Sequence, residues 1–153
     1  MWFDDIISWL KKGDNTMNIL FFLTPKSEVA YIYNDFTIRQ AIEKIKHYGY
    51  TAIPMIDREG RYIGTVTEGD LLWYLLEHKE VNYVEEAGNI GEINRRTMHR
   101  PVNAEMNIES LVKLIMNQNF VPVVDDRERF IGIITRKAIV QYCAKNVIDL
   151  DKE

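Results

Sequence analysis

Residues 64–70 read GTVTEGD, and residues 132–138 read GIITRKA. Each follows an aromatic residue and an isoleucine: Tyr62-Ile63 before the first, Phe130-Ile131 before the second. One phrase is written twice, and the acid that closes the first copy, Asp70, becomes Ala138 in the second. A phrase repeated at a fixed distance implies a repeated structural unit.

Working outward, Pro54 and Pro122, Asp57 and Asp125, Gly64 and Gly132, Thr67 and Thr135, and Tyr74 and Tyr142 all stand 68 residues apart. Apolar positions follow the same offset: Ile56 with Val124, Val66 with Ile134, Leu71 with Ile139. Upstream, TIRQAIEKIKHYGY matches NIESLVKLIMNQNF after a slip of two residues. Ile38, Ala41, Ile42 and Ile45 recur at helical spacing, as do Ile108, Leu111, Val112 and Ile115.

The fold class that follows is α/β (α+β), with two tandem β-α-β-β-α repeats and a short N-terminal helix. In each copy a lead-in strand (residues 29–33; 101–103) precedes an amphipathic helix (37–48; 107–118). Two strands joined by a polar turn come next (52–57 and 61–66; 120–125 and 129–134). A closing helix starts just after the threonine (68–78; 136–146). One such unit has too little core to stand alone, so the copies are expected to pack as a pseudo-two-fold pair. The expected divisions are a leader at 1–16, a first repeat at 17–78, an exposed linker at 79–95, a second repeat at 96–147 and a tail at 148–153. Glu80, Glu85, Glu86, Gly88 and Gly91 mark the linker.

Composition narrows the function. The 153 residues carry a net charge of −4 with mixed signs, which argues against nucleic acid as a partner. A lone cysteine, Cys143, excludes an internal disulfide and points to the cytoplasm. The opening MWFDDIISWLKK is too short and too charged to span a bilayer. Its Trp2, Phe3, Ile6, Ile7, Trp9 and Leu10 suit one side of a helix that packs on its own domain or a dimer mate; a membrane-surface contact is the weaker reading. Gly13-Asp14-Asn15 would end that helix, and Met17 is another candidate start.

The closing threonine and acid have two readings. Thr67 can cap the helix and Asp70, three residues on, can return the bond, a capping box worth about 1 kcal/mol. Thr135 starts a comparable helix with no acid at Ala138, which leaves Asp70 room for another task. A carboxylate there suits two neighbouring hydroxyls, as on a ribose. Arg136 and Lys137 stand at a helix N-terminus, where free N–H groups favour anions, and arginine grips phosphate with two parallel bonds. Their plain reading is solvated surface charge.

Catalysis has no visible equipment. His47, His78 and His99 show no metal-ligand spacing with one another or with Cys143. There is no G-x-S-x-G, Walker A loop or HExxH. The expectation is a protein that is not an enzyme, with no metal and no catalytic cofactor.

The stretches GYTAIPMID with GRYIGTVTEGDLL, and NFVPVVDD with RFIGIITRKAI, resemble a CBS-domain pair (a Bateman module) over residues 18–147. SEVAYI followed by GYTAIP is similar to small stand-alone bacterial CBS proteins, some of which bind cyclic di-AMP. The resemblance implies a regulatory, adenine-nucleotide-binding module with clefts between the repeats and signal output through self-assembly or a partner. It implies one site using Val29, Ala30, Tyr31, Thr51, Ala52 and Pro54 with Thr135, Arg136 and Lys137. It implies another using Val102, Asn103, Phe120, Val121 and Pro122 with Thr67 and Asp70. Arg95, Arg96, His99 and Arg100 are phosphate candidates or ordinary linker charge. Ala138 lacks the family's ribose acid, and two residues are missing before Pro122. The ligand is AMP, ADP, ATP, cyclic di-AMP or another adenosine compound. A homodimer is implied, through the helix carrying Leu71, Leu72, Trp73, Leu75 and Leu76, with an unidentified effector protein. The alternative is a non-catalytic dimerisation adapter with vestigial nucleotide sites.

Overall fold

The computed structural model describes residues 4, 5, 7, 8, 17–78 and 88–150, with side chains as far as Lys145. The chain divides into two compact units. One holds Met1–Glu28, Pro101–Asp125 and Ile131–Glu153; the other holds Val29–Arg100 and Asp126–Phe130. The strands are β1 (Thr24–Pro25), β2 (Ile32–Tyr33), β3 (Ala52–Ile56), β4 (Tyr62–Thr67), β5 (Phe120–Val124) and β6 (Phe130–Thr135). The helices are α1 (Ile38–Tyr48), α2 (Glu68–Glu77), α3 (Ile108–Ile115) and α4 (Arg136–Leu150).

In the unit of residues 29–100, β2 pairs parallel with β3, and β3 pairs antiparallel with β4. Thr37 caps α1 through a full capping box with Gln40. Gly49, at φ 67°, ends α1 in the left-handed conformation that glycine adopts without a Cβ penalty. Ile38, Ala41 and Ile45 of α1 are buried with Ile53, Met55, Val66 and Leu71. Arg58 grips Asp35 with two bonds, at 2.7 and 2.8 Å, and lies over the Tyr33 ring.

The other unit follows the same plan with different ends. Its sheet runs β1-β6-β5, with Thr24 antiparallel to Ile133, and Val102 bridges Val123 in parallel. Asn107 caps α3 by accepting the Ser110 N–H at 2.8 Å. Leu111 and Ile115 are buried with Ile19, Val121, Val123 and Ile134. Ile7, in a helical stretch, is buried against Val112. Trp2, Phe3, Ile6, Trp9 and Leu10 lie outside the described residues.

Three expectations change. The first helix of the second repeat ends at Ile115 rather than 118, because the Asn117 N–H turns back to the Leu114 carbonyl. The closing helix continues to Leu150. Part of the expected exposed linker is core: Ile90 and Ile93 are buried with the α1 and β3 side chains, and the Ile90 N–H donates to the Phe36 carbonyl at 2.8 Å. Apolar side chains of that size take up core space even where their neighbours are polar. Glu80, Glu85 and Glu86 lie outside the described residues.

Candidate functional site

The first closing phrase forms a dense polar knot. Thr67 Oγ1 accepts the Asp70 N–H at 3.1 Å, and Asp70 Oδ2 accepts the Thr67 N–H at 2.9 Å, so the capping box is present. The other oxygen, Oδ1, accepts the Arg96 N–H at 3.0 Å. Asp70 is only 2% exposed, so a buried carboxylate is held by two backbone donors.

The stretch after Arg95 is laced to the same unit. The Arg95 guanidinium lies where a Cβ on Gly64 would sit, and Nη1 donates to the Ile63 carbonyl at 3.1 Å. Arg96 stacks its guanidinium over the Trp73 ring at 4.0 Å, a cation–π contact. The Tyr62 hydroxyl donates to the His99 carbonyl at 2.8 Å and shares a 2.8 Å bond with Thr65. Burial pushes the Tyr62 hydroxyl up to about 12, against the pull of Thr65 and Arg95, so the donor keeps its proton. Burial also lowers His99, more than the Asp70 carboxylate raises it. Burial thus disfavours the imidazolium form of His99, which lies beside Arg95, Arg96 and Arg100. A cavity of about 370 Å³ opens beside the knot, lined in part by Asp70, Trp73, Tyr74, Glu92 and Arg96.

The second closing phrase is simpler. Thr135 Oγ1 accepts the Ala138 N–H at 3.0 Å, with no acid to return the bond. Arg136 turns to the end of α3: Nε donates to the Ile115 carbonyl at 2.9 Å and Nη2 to the Met116 carbonyl at 3.3 Å. Lys137 is exposed.

The remaining candidates fall on the sheets. Val29, Ala30 and Pro54 are buried, Ala52 and Tyr31 half-buried, and Thr51 exposed. The Thr51 carbonyl accepts the Glu68 N–H at the start of α2, and the Asn119 carbonyl accepts the Arg136 N–H at the start of α4. Tyr31 meets the edges of Tyr33 and Phe130, with Lys44 Nζ 5.4 Å from its ring centre. In the other unit the Val102 N–H donates to the Pro122 carbonyl at 2.9 Å, so these two candidates are neighbours. Val121 is buried, Phe120 half-buried and Asn103 exposed.

Thus Thr67, Asp70, Arg95, Arg96 and His99 meet in one unit, and Val102 meets Pro122 in the other. Sequence reasoning missed Tyr62 and Lys44, and assigned Trp73 to the dimer helix alone. The signal for Tyr62 was present, because its repeat partner Phe130 has no hydroxyl.

A family model described as the CBS domain matches residues 22–77 and 90–145. The chain belongs to the CBS-domain family. An uncharacterised protein of Methanopyrus kandleri is 28% identical over 116 residues, covering 72% of this chain and 55% of that protein. The chain therefore spans about half the length of that relative. The crystal structure of CbpB in complex with c-di-AMP is 23% identical, with a TM-score of 0.82 covering 97% of this chain and 98% of that one. CBSX2 in complex with AMP is 23% identical, with a TM-score of 0.68 covering 84% of this chain and 96% of that one. At these identities the solved structures establish the CBS-pair fold.

Proposed function

We propose that this chain is a regulatory module that binds an adenosine-containing nucleotide and passes the signal to a partner or through self-assembly. The observation that carries the reading is the pair of CBS repeats at residues 22–77 and 90–145, each with a strand-threonine-helix phrase. CbpB with c-di-AMP and CBSX2 with AMP, solved pairs of this fold, support an adenosine ligand. The candidate contacts are Thr67, Asp70, Val102, Asn103, Phe120, Val121 and Pro122 for one ligand. For another they are Val29, Ala30, Tyr31, Thr51, Ala52, Pro54, Thr135, Arg136 and Lys137. Arg95, Arg96, His99 and Arg100 are the phosphate candidates. A homodimer and a cytoplasmic home complete the reading. No helix among the described residues is long and apolar enough to cross a membrane.

A thermal-shift screen tests it, using AMP, ADP, ATP and cyclic di-AMP with guanosine counterparts as controls. A ligand at about a hundred times its dissociation constant adds roughly 2.7 kcal/mol, which raises the melting temperature by several degrees. No shift with any adenosine compound at millimolar concentration would sink the reading.

One observation favours the adapter alternative. Asp70 and Arg136, the residues that distinguish the two phrases, both bind backbone groups of their own unit. An adapter would dimerise with no nucleotide response.

A further inference from the structure

Asp70 is the ribose acid of the proposed function, yet its oxygens already hold two backbone N–H groups and it has almost no exposed surface. The two donors differ in kind. Thr67 belongs to the capping box and is three residues away. Arg96 is 26 residues downstream, in a stretch with no helix or strand between Ile93 and Val102. Three further contacts tie that stretch down: Arg95 on the Ile63 carbonyl, Arg96 on Trp73, and the His99 carbonyl under the Tyr62 hydroxyl. The stretch carries all the phosphate candidates of this unit. Asp70 and Arg96 both face the cavity of about 370 Å³.

We propose that Asp70 is a latch: its carboxylate fixes residues 95–99 through the Arg96 N–H, and a ribose diol must compete with that N–H to reach it. Ligand capture and release of the basic stretch are then one event. The latch stands on the geometry alone; the competition rests on the nucleotide reading above. With Asp70 only 2% exposed, a diol reaches Oδ1 only when the Arg96 N–H moves off it, while Oδ2 keeps the Thr67 N–H. The capping box thus keeps α2 in place. The unit thereby converts binding of a sugar into release of the Arg96 backbone from Asp70.

Amide hydrogen exchange on the full chain tests both parts, read in peptides covering residues 95–100 with β3 as the internal reference. Asp70→Asn keeps the size and one acceptor but removes the second. It should speed exchange at Arg96 by roughly tenfold, the scale of one hydrogen bond to a charged acceptor, with β3 unchanged. Unchanged exchange at Arg96 in that variant overturns the latch. If β3 also loosens, Arg96→Pro decides the matter, since it deletes the N–H and leaves the carboxylate. Faster exchange at Thr97 and Met98 than in Arg96→Ala, with β3 intact, upholds the latch; equal exchange overturns it.

In the wild type, AMP and ATP, which each carry a free ribose diol, are added at a concentration that raises the melting temperature. Exchange across residues 95–100 should rise while β3 holds. Slower or unchanged exchange there, with binding established, overturns the competition. If neither compound shifts the melting temperature, the competition fails, while the variants still judge the latch.

Discussion

The guanidinium of Arg136 closes the C-terminus of α3: it donates to the Ile115 carbonyl at 2.9 Å and to the Met116 carbonyl at 3.3 Å. The last carbonyls of a helix have no partner within it. In the first repeat, α1 solves this with left-handed Gly49. In the second there is no glycine at that place, and an arginine from the next helix does the work.

Arg136→Ala should therefore lower stability by about 1 kcal/mol, since the bonds are charge-assisted but partly in water. That corresponds to a fall of about 2–4 °C in the melting temperature. Calorimetry of the two proteins measures it. A melting temperature equal to wild type would mean that water satisfies those carbonyls equally well.

Gly64 and Gly132 occupy the same place in the two repeats, but alanine should act differently at each. At Gly64 a Cβ would meet the Arg95 guanidinium, the movable end of a long side chain. At Gly132, with φ 154°, it would meet the Thr24 carbonyl oxygen and lie 3.1 Å from Pro25 Cα, in the backbone of β1. Gly64→Ala should cost under about 1 kcal/mol by shifting Arg95, and Gly132→Ala about 2–4 kcal/mol by parting β1 from β6. Denaturant melts of both variants give the comparison; equal costs would contradict it.

Asp57 gives a pH dependence of known sign. Burial raises its carboxyl. The backbone N–H of Arg61, the Arg61 guanidinium and the Glu59 N–H outweigh that and hold it below its usual 3.8. A group lowered by folding adds stability above its unfolded value and loses it as pH falls through the folded value. The melting-temperature gap between wild type and Asp57→Asn should be constant from about pH 5 to 7 and shrink below about pH 4. A gap that widened in acid would reverse the assignment.

The proposed dimer has a specific surface. Leu72, Trp73 and Leu76 on α2 are 53%, 41% and 44% exposed. Leu71, expected on the same surface, is instead core, packed with Ile53 and Val66. Light scattering behind size exclusion should give a dimer for wild type and a monomer for Leu72→Asp with Leu76→Asp. A wild-type monomer at micromolar concentration would remove the dimer from the reading.

The repeat, the helices α1 to α4 and the β-α-β-β-α order were legible in the sequence because they rest on local signals. Helical spacing places Ile38, Ala41 and Ile45 on one face, and Thr37 and Asn107 offer caps within three residues of their partners. The capping box of Thr67 and Asp70 was legible for the same reason. Long-range choices were not. No local pattern says that Asp70 will take an N–H from Arg96, that Arg136 will reach back to Ile115, or that Ile90 and Ile93 will enter the core. Each depends on which surfaces the folded backbone brings near, and a carboxylate or guanidinium binds whichever unsatisfied backbone group it finds there. The sequence by itself determined the repeated architecture and the residue types at its two closing phrases. The tertiary structure decided what those residues hold, because hydrogen-bond partners far apart in the chain are chosen by packing rather than by spacing.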